Sequence, residues 1–154
     1  SLMLKKTIKI VVIVIVVAVS ARMYMKGKES ATMRPILGIV NNQLTACSEK
    51  PNCVSSTSAR DDSGHYLAAT KVTSNPISII REKAKSANLV IIDFRPNYLR
   101  FTITSPIFKF VDDIEFFYDS SLQELHYRSG SRVGYSDMGK NRSRLTEFLS
   151  SLKL

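Results

Sequence analysis

The sequence predicts an α+β fold: an antiparallel sheet of about four to five strands, with helices covering one face and a hydrophobic helix preceding it. Two amphipathic segments with four strand-like runs between them indicate the domain, and a separate uncharged apolar run indicates the leading helix. With 154 residues, 44% hydrophobic and 23% charged, the chain has room for one domain and an appendage. A formal net charge of +9 weakly favours an anionic membrane surface or an acidic partner.

The appendage is an uncharged run over residues 10–21 with basic residues on both sides. These are Lys5, Lys6 and Lys9 before the run, and Arg22, Lys26 and Lys28 after it. Twelve residues make about 18 Å of helix against roughly 30 Å of hydrocarbon, which suits a signal-peptide core, and residues 19–21 offer a cleavage site. Alternatively, Lys9 and Arg22 reach the interfaces and residues 7–25 span the membrane as a retained anchor. We favour the anchor; in both cases residues 1–25 form the targeting segment.

Two cysteines, Cys47 and Cys53, lie close together in ACSEKPNCVSS, where Pro51 and Asn52 favour a turn that brings the thiols together. Two thiols and two distant histidines are too few ligands for a zinc site, so a disulfide is favoured and free thiols are the alternative. A disulfide behind a targeting segment predicts a domain outside the cytoplasm. It would lie in the periplasm or an equivalent lumen, or be secreted after cleavage.

The folded part is predicted to be a single domain over residues 44–154. Residues 26–43 mix Lys, Gly, Ser, Met and Asn without periodicity, and we interpret them as a tether leading into the domain. Residues 55–64 are rich in Ser and Asp and are predicted to be a surface loop. Ordered structure is therefore expected to start near Leu44.

Two amphipathic helices are predicted to cover the sheet. The first, about twelve residues long, follows Asn75 and Pro76, an N-cap and a first-turn proline, and its apolar residues recur at spacings of three and four. The last can be capped by Asn141. Its apolar stripe consists of Leu145, Phe148, Leu149 and Leu152. Both stripes are expected to pack on the sheet.

A short strand is predicted over residues 65–72 and four longer ones after the first helix. The four are LVIIDF from Leu89, YLRFTIT from Tyr98, a run from Phe108 to Tyr118, and LHYRS from Leu125. In the second of these, apolar residues alternate with Arg100 and Thr102, which predicts one buried and one solvated face. The sheet is therefore expected to be antiparallel with one covered face.

Acidic and basic residues meet in the predicted hairpin of the last two strands. A turn at residues 119–124 would place Glu115 opposite Arg128. Because side chains alternate along a strand, Asp113 and Arg132 are expected on the same face. One interpretation, which we favour, is a structural lock in which these carboxylates pair with the arginines.

The other interpretation of this region is an anion-binding surface. Surplus guanidinium groups, serine hydroxyls and the N-terminus of the last helix would hold a phosphate or carboxylate. The candidate binding residues are Asp113, Glu115, Arg128, Ser129, Ser131, Arg132, Tyr135, Asp137, Asn141 and Arg142. No cofactor or metal is assigned to this surface.

Catalytic alternatives are weaker. Ser136 in GYSDMG resembles a nucleophile elbow, but the spacing is one residue too long and no doubly wound sheet supports it. His126 and Asp137 would complete a triad, although a turn or helix cap is the favoured role for Asp137. A divalent metal on Asp113 and Glu115 is a further alternative. We predict no catalytic residue. Nucleic-acid binding is not expected of a domain outside the cytoplasm.

Four strings in the chain resemble the domain-of-unknown-function family numbered 1499. They are CSEKPNCVSS, HYLAAT, NYLRFTITSPIFKFVDDIEFFYD and HYRSGSRVGYSDMGKNRSRLTEF, within residues 37–152. The resemblance implies a small envelope or organelle-lumen domain, and it supports pairing of the two cysteines. It implies no activity, cofactor or catalytic residue. This chain departs from the family pattern at Ser48, where the family has proline, and at Gly130, where it often has alanine.

Together these observations predict a membrane-anchored or secreted binding or assembly module. Its expected partners are the membrane, through residues 7–25, and an anionic small molecule, a lipid headgroup or a membrane protein. An envelope hydrolase or metal-dependent enzyme, using Ser136 or Asp113 and Glu115, is the first alternative. A structural accessory subunit of a membrane complex is the second.

Overall fold

Three helices and eight strands make up the computed structural model of the chain, which describes residues 1–154. In chain order they are α1 (Leu2–Thr32), β1 (Ile39–Val40), β2 (Gln43–Leu44), β3 (Cys53–Ser55), β4 (Thr70–Lys71), α2 (Ile77–Ser86), β5 (Val90–Arg95), β6 (Tyr98–Thr104), β7 (Val111–Asp119), β8 (Glu124–Ser131) and α3 (Lys140–Leu152). The predicted α+β class is confirmed.

One antiparallel sheet contains six of the strands, in the order β3-β8-β7-β6-β5, with β4 also paired to β8. The prediction of four to five strands was too low. The β8 strand is long enough to pair with β7 along one edge and with both β3 and β4 along the other. These two strands have only three and two residues, too few to show a hydrophobic period.

The predicted hairpin of β7 and β8 is confirmed in its register. Glu115 lies opposite Arg128, and Phe117 lies opposite His126. Every residue of β7 is buried, including its acidic residues. A strand that is buried on both sides requires cover on both faces of the sheet.

The first face of the sheet carries the hydrophobic core. Side chains of β6, β7 and β8 meet the apolar stripes of α2 and α3, as the sequence predicted. The core includes Leu99, Phe101, Phe116 and Tyr127 of the sheet and Leu145 of α3. Phe148 of α3 lies 5.6 Å, ring centre to ring centre, from both Phe101 and Phe116.

The second face is also covered, so the expectation of a solvated face was wrong. The β1–β2 hairpin turns through Asn41 and Asn42, which have φ angles of 50° and 60° as a tight two-residue turn requires. It places Leu44 against Tyr98 and Phe117 on this face. The segment interpreted as a tether is therefore part of the packed structure.

The α1 helix runs on through residues 26–32 and docks against the domain. Gly27 and Ser30 are its buried residues. The Val111 amide donates a hydrogen bond to Ser30 Oγ at 2.7 Å. A side chain at Gly27 would overlap the backbone carbonyl of Phe108, so only glycine permits this close approach.

The rest of α1 extends away from the domain, with the apolar side chains of residues 8–19 largely exposed. None of the helices combines the length and apolarity needed to cross a membrane.

The N-cap residues of the two sheet-covering helices are Pro76 for α2 and Gly139 for α3. The predicted N-cap Asn75 lies one residue earlier, where its Oδ1 accepts from the Ile77 amide at 3.0 Å, and α2 is ten residues long rather than about twelve. The prediction that Asn141 caps α3 was wrong, because Asn141 lies within the helix and is buried. Asp137 stabilises the turn that leads into α3, because its carboxylate accepts from the amides of Gly139 at 2.8 Å and Asn141 at 2.9 Å.

Candidate functional site

The predicted disulfide is present between Cys47 and Cys53, with a Cα–Cα distance of 5.7 Å. The β3 strand places Cys53 opposite Gly130 of β8. A Cβ atom at Gly130 would lie 3.1 Å from Cys53 Sγ and 3.2 Å from Arg128 Nη1. Glycine therefore lets the disulfide and the Arg128 guanidinium approach closely over β8.

Five charged residues form a layer on the second face of the sheet, which we name the ionic layer: Arg100, Asp113, Glu115, Arg128 and Arg132. Asp113 is its centre. Arg100 donates to Asp113 Oδ1 from Nε at 3.0 Å and from Nη2 at 2.7 Å. Arg132 donates to Oδ2 from Nε at 2.7 Å and to Oδ1 from Nη2 at 3.1 Å. One carboxylate thus neutralises part of the charge of two arginines.

The same arginines attach the N-terminal segment to the sheet. Arg132 Nη1 donates to the carbonyls of Ser30 at 3.2 Å and Met33 at 2.8 Å, at the end of α1. Arg100 Nη1 donates to the Pro35 carbonyl at 3.4 Å. These bonds satisfy carbonyls that a helix end otherwise leaves without partners.

Glu115 and Arg128 form the less satisfied half of the ionic layer. Tyr98 donates to Glu115 Oε1 at 2.7 Å, but Arg128 Nη1 is 3.6 Å from Oε2, too long for a hydrogen bond. Glu115 Oε2 and Arg128 Nε have no hydrogen-bond partner. Burial raises the pKa of Glu115 and lowers the pKa of Arg128, because both charged forms have lost water.

Ser129, Ser131, Asp137 and Asn141 form a separate network, the capping cluster, on the first face. Ser129 Oγ donates to Asn141 Oδ1 at 2.6 Å. Asn141 Nδ2 donates to Ser131 Oγ at 2.9 Å and to Asp137 Oδ2 at 2.7 Å. The predicted binding surface is therefore divided, because neighbouring residues of β8 point to opposite faces. Ser129 and Ser131 do not join Arg128 and Arg132.

The two remaining candidates lie apart from both groups. Tyr135 is 71% exposed. Arg142 donates to the backbone carbonyls of Tyr66 at 2.9 Å, Ser63 at 3.0 Å and Gly64 at 3.3 Å. Its guanidinium thereby holds the loop before β4 against α3.

The structure does not assemble the catalytic alternatives. Ser136 Oγ accepts from the Met138 amide at 3.2 Å, whereas His126 contacts Ser56 at 3.1 Å and Glu124 at 3.3 Å. No sequence pattern indicated the Ser56 contact. The Ser56 hydroxyl also accepts from the Tyr127 amide at 3.0 Å, so Ser56 connects the end of β3 to β8.

The metal alternative also finds its carboxylates in other contacts. Asp113 and Glu115 share a face as expected, but Asp113 pairs with arginines and Glu115 with Tyr98. No group of three or more metal-ligating side chains is present.

A pocket of about 380 Å³, the arginine pocket, opens between the end of α1 and strands β5 and β6. Three of its nine lining residues are arginines, Arg34, Arg100 and Arg132, and none is acidic. Thr102 and Thr104 add hydroxyl groups. An open pocket with guanidinium and hydroxyl donors and no carboxylate on its surface suits an anion.

The fold and the site define a small α+β domain that is covered on both faces and carries an arginine pocket beside a buried carboxylate. A family model described as a protein of unknown function (DUF1499) matches residues 43–152. The chain therefore belongs to this family, as the sequence strings predicted. Searches of curated proteins and of solved structures found no match.

Proposed function

We propose that this protein is a binding module for an anionic ligand, which the arginine pocket holds. The observation that carries the proposal is the charge of the pocket surface: three arginines and no acid among nine residues. Of the predicted binding surface the proposal keeps Arg132 in the pocket, with Asp113 behind it as the partner of Arg100 and Arg132. It replaces the serines of the capping cluster with Arg34, Arg100 and two threonines.

Arg34 is the residue best placed to contact a ligand. Its Nη1 donates to the carbonyls of Ala31 and Met33, both at 2.9 Å, while Nε and Nη2 make no hydrogen bond within the protein. The residue is exposed. Arg100 and Arg132, in contrast, use most of their donors on Asp113 and on backbone carbonyls. Arg34 can therefore be changed without disturbing the ionic layer.

Arg34→Gln is expected to weaken anion binding about tenfold or more, because a hydrogen bond to a charged group contributes about 1.5–3 kcal/mol. The melting temperature without ligand should stay the same. The measurement is a thermal-shift titration of the full chain with inorganic phosphate at low salt. Saturation at 100 times the dissociation constant should stabilise the wild type by about 2.7 kcal/mol.

Arg60→Gln is the matched control, because Arg60 is also an exposed arginine but does not line the pocket. It should bind phosphate as the wild type does. Equal losses in both variants would indicate a general charge effect. No thermal shift in the wild type with phosphate, sulfate or a carboxylate would refute the proposed function.

We further propose that residues 7–25 associate with a membrane and that the domain works outside the cytoplasm, either attached there or secreted after cleavage. The exposed apolar side chains of α1 and the basic residues on either side of them support the first part. The Cys47–Cys53 disulfide supports the second. A protein partner within a membrane complex would be compatible with both.

The full chain is expected to float with lipid vesicles in a density gradient. Val14→Asp with Val16→Asp should abolish flotation, because a charge is costly to insert among lipid tails. Thr146→Asp with Ser150→Asp, two exposed residues of α3, should leave it intact. Flotation that survives the α1 changes would refute membrane association through this segment.

A further inference from the structure

We propose that the ligand of the arginine pocket carries a phosphomonoester, a group with close to two negative charges at neutral pH. This inference rests on the proposed function and specifies the chemistry of the same site. It follows from the charge of the pocket, from the donors on its surface and from the number of oxygens that these donors can serve.

The charge of the pocket favours a dianion. Arg34, Arg100 and Arg132 bring three positive charges, and Asp113 behind two of them brings one negative charge. Asp93 lies opposite Arg100 on β5, but its carboxylate pairs with Arg95 at 2.9 Å. About two positive charges are left over. A carboxylate or a phosphodiester would cancel one of them, and a phosphomonoester would cancel nearly both.

The donors favour three terminal oxygens rather than two. Arg34 has Nε and Nη2 free, a planar fork that can bind two oxygens at once. Thr102 and Thr104 of β6 line the pocket and bring two hydroxyl donors. Arg100 and Arg132 line it as well, and their guanidinium groups add charge. Donors from two separate segments, Arg34 after α1 and the threonines of β6, suit a tetrahedral group better than a flat one.

The pocket also has room for part of the molecule that carries the phosphate. Its volume is about 380 Å³, within the range of small-molecule sites. Ile92, Val111 and Pro35 line it beside the arginines. A small organic body next to the phosphate would contact these apolar groups.

The test compares four probes on the full chain in neutral detergent at low salt: inorganic phosphate, glycerol phosphate, dimethyl phosphate and acetate. Phosphate and glycerol phosphate should bind about tenfold tighter than dimethyl phosphate and acetate at pH 7.5. Their advantage should shrink at pH 5.5, below the second phosphate pKa of about 6. Arg34→Gln should reduce the preference, and Arg60→Gln should keep it.

The outcomes separate this inference from the proposed function. Equal affinity for all four probes, or tighter binding of acetate, would overturn the phosphomonoester and leave an anion-binding module. No binding of any probe would overturn both. A phosphate preference that is unchanged in Arg34→Gln would also overturn the assignment to this pocket.

A phosphomonoester could come from a lipid headgroup or from a soluble molecule, and vesicles distinguish the two. Phosphatidylcholine vesicles with equal fractions of phosphatidate or phosphatidylglycerol present a phosphomonoester or a phosphodiester in the same membrane. Tighter binding to phosphatidate, lost in Arg34→Gln, assigns the group to a lipid. Preference for glycerol phosphate in solution without this lipid preference assigns it to a soluble ligand.

Discussion

Asp113→Asn is expected to lower the free energy of unfolding by about 3–5 kcal/mol, the usual cost of removing one partner from a buried ion pair. Asp113 accepts four hydrogen bonds from Arg100 and Arg132, whose side chains are only 11% and 6% exposed. Asparagine has nearly the same shape but cannot neutralise either guanidinium. Denaturation of the full chain by urea measures the loss.

The control is Asp93→Asn, which removes the carboxylate of an Asp–Arg pair at the sheet edge. Asp93 and Arg95 are 43% and 48% exposed, so water replaces the lost contact. The expected change is below about 1 kcal/mol. Similar losses in both variants would show that burial of the ionic layer does not determine its contribution to stability.

Gly27→Ala is expected to destabilise the chain by about 3 kcal/mol, at the upper end for overpacking. The added methyl would overlap the Phe108 carbonyl, so the end of α1 would have to move away. That movement would break the bonds of Ser30 to Val111 and of Arg132 to the end of the helix. The same change in an open helix would stabilise it by about 1 kcal/mol, so the sign of the effect is informative.

Hydrogen exchange at the Val111 amide reports this movement directly, because Ser30 Oγ is its acceptor. Exchange should accelerate in Gly27→Ala. It should not change in Lys28→Ala, which alters the exposed neighbouring residue. Unchanged exchange together with a gain in stability would mean that α1 does not dock at this glycine.

The four long strands and the register of the β7–β8 hairpin could be predicted because they follow from simple alternation. A short turn and the period of two are sufficient to place Glu115 opposite Arg128. The stripes of the two sheet-covering helices followed in the same way from the period of 3.6. These features depend on neighbours in the chain, which is why local patterns were sufficient.

The cover of the second face could not be predicted from periodicity. Strands β1 and β2 have only two residues each. Residues 26–32 are held in place by contacts with Val111 and Arg132, which lie 80 or more positions away in the chain. One local signal was available and was missed. The dipeptide Asn41-Asn42 between apolar residues is typical of a tight hairpin turn.

The candidate site was predicted in part. Alternation placed Asp113, Glu115, Arg128 and Arg132 on one face, but grouping them with Ser129 and Ser131 ignored the same rule. Arg100 could have been included, because it lies on the polar face of the predicted β6 strand, which pairs with the acidic strand β7. Arg34 gave no signal, because its place beside the sheet depends on how α1 docks.

The continuity of α1 determines how the domain is presented to its surroundings. A helix of 31 residues is about 46 Å long, and its last turn is bonded to the sheet without a flexible joint. The domain therefore cannot swivel freely on its leading segment. Because Ala31 at the end of α1 and Arg34 just after it line the arginine pocket, the direction in which the pocket opens is set relative to the axis of this helix.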